Sequence, residues 1–211
     1  MNFTFDHWQG QIYRTAQEKP ITITIQQVTM NSKTTDKEIL HALKTDMQRG
    51  FGMFMQRYRE PVYWHVRRLV VSHDDAEDIT QEVFVRVLRS VEKFRAECSL
   101  TSWVYRIATN EALRLINSRR SDTCPIDTAP AKVIGNIEAD SYIDFDDAIA
   151  VKFQQAIHSL PPKQQATFNL RYYDELDYEK IAEITQSTPA SAKANYHMAK
   201  QKIETYMNNK I

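Results

Sequence analysis

Residues 72–91, SHDDAEDITQEVFVRVLRSV, decide how the chain is to be read, because apolar and acidic residues separate onto two sides of one helix. Ser72 followed three residues later by Asp75 is a helix-start pattern. Asp74, Asp75, Glu77 and Asp78 crowd the first turn, where the positive end of the helix dipole favours negative charge. Ile79, Val83, Val87 and Val91, flanked by Ala76, Phe84 and Leu88, recur at three- and four-residue spacing and form a stripe that has to be buried. Asp75, Asp78 and Glu82, with Glu77 and Gln81 beside them, fall on another side. That side meets either solvent or a partner; taken alone it is a solvated face with favourable capping.

Downstream, Phe94-Arg95 opens a loop to Thr101, and a long helix is expected from about Ser102 to Arg119, capped by Thr101 or Ser102. Val104, Ile107, Ala108, Leu115 and Ile116 form its inner face, while Arg106, Asn110, Arg114 and Asn117 make a polar, cationic face suited to phosphates and base edges. Upstream, a helix starting at Thr35 or Asp36 runs through Ile39, Leu40, Leu43 and Met47. A second apolar segment extends from Phe51 to Val66, with Pro61 expected at a boundary or in a first turn. At helical spacing, Tyr58, Tyr63 and Trp64 read as core. Residues 1–34 are expected to lie outside the fold. Ile21 to Ile25 alternate like a strand but have nothing to pair with, so residues 1–29 are either an upstream extension or a native arm.

Four glycines and 42% hydrophobic residues, mostly at helical spacing, imply an all-α protein of one or two small domains. No apolar run reaches the roughly 18 residues of a membrane span and no secretion signal opens the chain, so a cytoplasmic protein without membrane insertion is expected. Cys98 and Cys124 lie outside any metal-ligand or CxxC spacing and read as free thiols, with no cofactor implied. The net charge of zero argues against strong autonomous DNA binding. Its distribution matters more: acids gather in 74–82 and 122–147, cations at Arg106, Arg114, Arg119 and Arg120 and at Lys193, Lys200 and Lys202.

Residues 121–147 hold seven acids against Lys132, together with Pro125, Pro130 and Gly135, and read as a flexible acidic linker. At roughly 3.3 Å per residue such a segment reaches at most about 80 Å, enough to connect sites about two DNA turns apart. After it, a helix through Ala148, Val151, Ile157 and Leu160 ends at Pro161-Pro162, and another carries Ala166, Phe168, Leu170 and Tyr172. Asp177 caps a short helix from Tyr178 to Thr185. Thr188 caps a last helix that opens on Pro189 and buries Ala192, Tyr196, Ala199, Ile203 and Met207. Short helix, turn and longer helix make a helix-turn-helix whose second helix reads the groove, unless the pair is an ordinary helical hairpin.

The order DDAEDITQEVF, FR, polar loop, SWVYRIATN and a basic end resembles region 2 of the extracytoplasmic-function group of bacterial sigma factors, in the sigma-70 family. LPPKQQATFNLRYYDELDYEKIAEITQSTPASAKANYHMAKQKI is similar to region 4 of the same group, so the resemblance covers roughly residues 36–208. It implies region 2 over 35–120 and region 4 over 148–211, hence two small helical domains. Asp75, Asp78, Gln81 and Glu82 would dock on the clamp helices of the largest RNA polymerase subunit. Arg95, Glu97, Cys98 and Ser99 would line a pocket for an extruded base of the minus-ten element; Trp103 would wedge against it or be buried. Arg106, Asn110, Arg114, Arg119 and Arg120 would grip phosphates and the edge of the melted bubble. In region 4, Ser191, Lys193, Ala194, Asn195, His197 and Met198, with Lys200, would face the minus-thirty-five element. Asn195 and Met198 stand where the family often has arginine, which leans the site toward A/T-rich DNA. The linker would either enter the polymerase's RNA exit path or serve as a solvated spacer. The implied partners are core RNA polymerase, promoter DNA and an anti-sigma protein; no enzymatic activity is implied.

Two other readings remain at this point. A metal-dependent nucleotide hydrolase would use Asp74, Asp75, Glu77, Asp78 and Glu82, but such sites need carboxylates from more than one helix, and no second acidic helix is evident. A stand-alone helix-turn-helix repressor leaves the acidic helix and SWVYRIATN without a purpose.

Overall fold

The computed structural model of the chain describes residues 34–95, 97–122 and 148–209. Residues 1–33 of the N-terminal extension and 123–147 of the acidic linker, with Cys124 and the strand-like Ile21 to Ile25, fall outside the described residues, while Ser121 and Asp122, expected in the linker, continue the helix before it. Four helices build the first unit: α1 (Asp36–Thr45), α2 (Met47–Arg67), α3 (His73–Ser90), and, after a short 3-10 turn over Val91–Lys93, α4 (Leu100–Asp122). Four more build the second: α5 (Ala148–His158), α6 (Pro162–Tyr172), α7 (Tyr178–Thr185) and α8 (Pro189–Asn208). No strand occurs among the described residues, and the architecture is all-α.

Local chemistry sets most of the boundaries. Ser72 Oγ accepts the Asp75 amide, and Asp177 and Thr188 cap α7 and α8 as their sequence positions imply. Thr35 and Glu38 form a reciprocal capping box at the start of α1. Three expectations change. The first helix stops at Thr45, because Asp46 turns out of it and caps α2 by accepting the Arg49 amide at 3.1 Å. The long helix starts at Leu100, since Ser99, not Thr101 or Ser102, takes the Ser102 amide at 2.9 Å. Pro61 lies inside α2, buried. A proline there removes the bond to the Arg57 carbonyl and costs about 3 kcal/mol. Phe54, Tyr58, Val62 and Val66, all within 3% of full burial on the same helix, each return roughly 1.5–3 kcal/mol of apolar burial. Packing therefore carries the helix through.

In the first unit the stripes of α2, α3 and α4 converge: Phe54, Val62, Val66, Val83, Val87, Val104 and Ala108 are fully buried together. Gly50 lets α1 cross α2 closely, as any Cβ there would overlap the Leu43 backbone. The second unit packs Phe153, Ile157, Phe168, Ala199 and Ile203, with Phe168 stacked on Tyr172 and Tyr196. Gln186 ends α7 in the left-handed region at φ 52° and makes the tight turn into α8.

The two units also pack on each other. Tyr105 of α4 joins Leu170, Leu176, Ile181, Ile184 and Ala192 in a third apolar cluster, and Ala166 of α6 belongs to the core of the first unit.

Candidate polymerase and nucleic-acid interfaces

Helix α3 presents its acids as expected, though not all are open. Asp78 and Gln81 are exposed. Asp75, whose side chain is only 17% accessible, receives both terminal nitrogens of Arg119 at 2.6 and 2.7 Å. Glu82 pairs with Arg86 one turn on at 2.8 Å. Arg86 also reaches Glu111 of α4 at 3.1 Å, and Glu111, though 8% accessible, holds Arg114 at 2.5 Å. A charge ladder thus straps α3 to α4, and two cations expected to grip phosphates, Arg114 and Arg119, rest on carboxylates.

Arg95, Glu97 and Ser99 are exposed and Cys98 is half-buried, so the loop offers its polar edges outward. Ser99 doubles as the α4 cap. Arg106 Nη2 lies 3.6 Å from the Cys98 sulfur. Burial pushes the Cys98 thiol upward, the Arg106 charge opposes this, and Glu183 of α7 adds to it. Trp103 is partly buried against Phe94, ring centres 4.8 Å apart. Asn110 is exposed and, with Glu82, Arg86, Arg89, Trp103 and Glu111, edges a shallow groove between α3 and α4. The Arg120 side chain lies outside the described residues.

On α8, Ser191, Lys193, Ala194, His197 and Met198 are exposed along one side and Asn195 and Lys200 are half-buried. Met198 is 41% accessible and touches the Gln164 amide through its sulfur. The opposite side is core, with Ala192, Ala199 and Ile203 fully buried.

What the sequence pattern did not reveal is the polar seam between the units. Asp174 is buried between Arg68 (3.1 Å) and His65 (3.3 Å), and His65 Nε2 meets the Thr109 hydroxyl at 2.8 Å. A proton on Nδ1 satisfies both histidine contacts. Gln165 and Asn169 of α6 donate to the carbonyls of Arg68 and Leu69. Those carbonyls end α2, where the helix itself supplies no donors. The available signal was the spacing of Gln165 and Asn169, two amides one turn apart in a helix otherwise apolar on that side. Among the described residues, no three His, Cys, Asp or Glu side chains converge as metal ligands, and no helix is long and apolar enough to cross a membrane.

An acid-faced helix strapped to a polar-faced one, joined to a helix-turn-helix with an open reading side, defines a class of helical transcription factor. The description "Sigma-70 region 2" matches residues 54–121 and "Sigma-70, region 4" matches residues 150–203. The ECF RNA polymerase sigma-E factor of Haemophilus influenzae is 27% identical over 83% of this chain and 96% of its own length. The ECF RNA polymerase sigma factor SigW of Bacillus subtilis is 26% identical over 82% and 97%. Among solved structures, CnrH in complex with the cytosolic domain of CnrY matches with a TM-score of 0.59 at 14% identity, covering 81% of this chain and 95% of that one. The sigma factor RpoE of Bartonella quintana, in complex with the anti-sigma factor NepR, matches at 0.57 and 16%, covering 77% and 99%. The chain belongs to the sigma-70 family, in its extracytoplasmic-function group, and acts in transcription initiation with core RNA polymerase and promoter DNA.

Proposed function

We propose the following division of labour within that role. Asp78 and Gln81, with Asp75 and Glu82 once freed from their arginines, dock on the polymerase clamp helices, where opposite charge steers encounter and sets register. The loop from Arg95 to Ser99 accepts an unstacked base, at a cost of a few kcal/mol that its polar edges offset. Arg106, Asn110, Arg114, Arg119 and Arg120, with Trp103 behind them, follow the adjoining strand. Ser191, Lys193, Ala194, Asn195, His197, Met198 and Lys200 face the upstream element, Asn195 and Met198 favouring A/T pairs. Region 2 then spans 35–120 and region 4 spans 148–211, joined by the acidic 121–147. The protein works in the cytoplasm, catalyses no reaction of its own, and has an anti-sigma partner of the kind named for the two solved complexes.

What supports this reading is the pairing, on one chain, of exposed Asp78 and Gln81 on α3 with exposed Ser191, Lys193, Ala194, His197 and Met198 on α8. In vitro transcription with core polymerase over a promoter library tests it. The wild-type chain should direct initiation from a defined two-part promoter, and Asp75→Lys/Asp78→Lys/Glu82→Lys should lose both co-purification with core enzyme and transcription. Unchanged polymerase binding by that variant would remove the docking assignment.

A further inference from the structure

We propose that Asp36 and Tyr58 are positioning residues for the base-accepting loop: through Thr101 they fix the first turn of α4, and with it the direction of Ser99 and Cys98. The inference rests on the assignment of that loop above and names the residues that aim it.

Tyr58 reads as core from its spacing, and its ring is core, 3% accessible and tilted against Phe54 at 4.9 Å between centres. Its hydroxyl reaches out of the apolar cluster to a polar site. It stands 2.9 Å from Asp36 Oδ1 and 2.9 Å from the Thr101 hydroxyl, and Thr101 donates to Asp36 Oδ2 at 3.1 Å. The first turns of α1 and α4 and the middle of α2 thus meet in one polar triangle. A carboxylate only accepts, so the two hydroxyls supply both protons in it. Burial and the Asp36 charge push the Tyr58 pKa upward, which keeps that hydroxyl a donor. Arg57 pairs with Asp36 at 3.0 Å and donates to the Thr34 carbonyl at 2.6 Å, so Asp36 is itself held in place.

The triangle is not needed to hold α1 on the bundle. Ile39 and Leu43 are buried there, and Gly50 permits the close crossing of α1 and α2. Packing of that kind leaves the angle of a helix end open, whereas matched hydrogen bonds set it. The angle matters at this end because Ser99 shares it: Ser99 Oγ takes the Ser102 amide at 2.9 Å and donates to the Ser102 hydroxyl at 2.9 Å. A shift of this turn at Thr101 carries Ser99 and its neighbour Cys98 along. Helix α1 meets the other end of the loop as well, Lys44 Nζ lying 3.5 Å from the Phe94 carbonyl oxygen. Recognition groups have to be held to within about 0.5 Å. Tyr58 is too buried to touch DNA, so any effect it has on base choice passes through Thr101.

Selection by holoenzyme, core polymerase with the full-length chain, tests this. The probe is a pool of fork-junction DNAs, randomised in a single-stranded block at the minus-ten position and in a duplex block at the minus-thirty-five position, sequenced after capture. Wild type should enrich preferred bases in both blocks. Tyr58→Phe and Thr101→Val should each lower enrichment in the single-stranded block about five- to tenfold, the cost of roughly one misread base, and leave the duplex block unchanged. Thr101→Ser, which keeps the hydroxyl, should select as wild type does. If circular dichroism shows Thr101→Val unfolded, Tyr58→Phe, which removes a single oxygen, carries the test. Folded variants that select as wild type, or that lose both blocks equally, overturn the positioning role. Flattening by Thr101→Val alone overturns it too, since Thr101 is then a direct DNA contact. Arg95→Ala/Glu97→Ala separates this from the loop assignment. If that variant flattens the single-stranded block and Tyr58→Phe does not, the loop stands without its brace; if neither does, the loop assignment fails and the brace with it.

Discussion

Two interfaces on helix α4 bury comparable side chains by different means. Toward α3, Val83 and Val87 meet Val104 and Ala108, all with no accessible surface. Toward the second unit, Tyr105 and Thr109 meet a cluster in which Asp174, Arg68, His65, Gln165 and Asn169 are each under 10% accessible. Dispersion and apolar burial are non-directional, so the first interface asks only for shape and volume. The polar groups in the second require particular partners at particular angles, and removing one leaves others buried and unmatched, although Tyr105 also packs there on apolar side chains such as Leu170 and Ile181. The comparison teaches that one contact is held by shape and volume and the other also by matched polar groups, in keeping with the more polar character of contacts between domains.

Breaking the apolar side should have the largest effect. Val83→Asp places a charge where no partner exists and should unfold the first unit, at more than about 4 kcal/mol, seen as loss of its helical signal on thermal denaturation. On the polar side, direction matters more than size. Asp174→Ala should destabilise the folded chain by about 3–5 kcal/mol, whereas His65→Leu/Arg68→Met/Asp174→Leu should be neutral or stabilising by up to about 4 kcal/mol. That triple variant would turn the seam into a copy of the α3–α4 contact. It should raise the unfolding temperature, read by circular dichroism.

The seam should also respond to pH. His158 accepts from Gln165 through Nδ1 at 2.9 Å, and its Nε2 is closed off from solvent. Burial, reinforced by the Arg67 charge, lowers its pKa from 6.5 to about 4. The unfolded chain therefore binds a proton that the folded chain refuses, and stability falls as pH drops from about 6.5 toward about 4. The loss is on the order of 1–3 kcal/mol; His158→Gln should flatten this part of the stability profile in urea titrations. The smallest effect belongs to the Asp75–Arg119 pair, since Arg119 is 58% accessible. Asp75→Asn should shift stability by no more than about 1 kcal/mol, yet it should change the salt dependence of DNA binding by freeing Arg119, read by anisotropy titrations.

The parts of the chain legible in advance share one property: their signals are local. Ser72, Asp177 and Thr188 cap the helices they precede, and the stripe from Ile79 to Val91 faces inward as its spacing requires. Trp103 is partly buried because Phe94 lies within stacking reach, and it still edges the groove between α3 and α4. The apolar spacing runs on through Met47 without a break and hides Asp46, and only the turned-out backbone reveals the cap. At Pro61 the opposite holds, local chemistry being overruled by the burial around it. Glu111 reads as one more exposed acid in a polar helix, but Arg86 and Arg114 reach it from two directions.

By itself the sequence determined the helical class, the acidic face of α3 and the outward side of α8, since periodicity and capping act within a few residues of chain. Only the tertiary structure decided that Asp75 and Arg119, 44 positions apart, neutralise each other, and that Asp174 finds its counter-charge in Arg68, 106 positions upstream. Ion pairs of that separation leave no periodic trace in the chain; they come into being when packed helices bring their surfaces together.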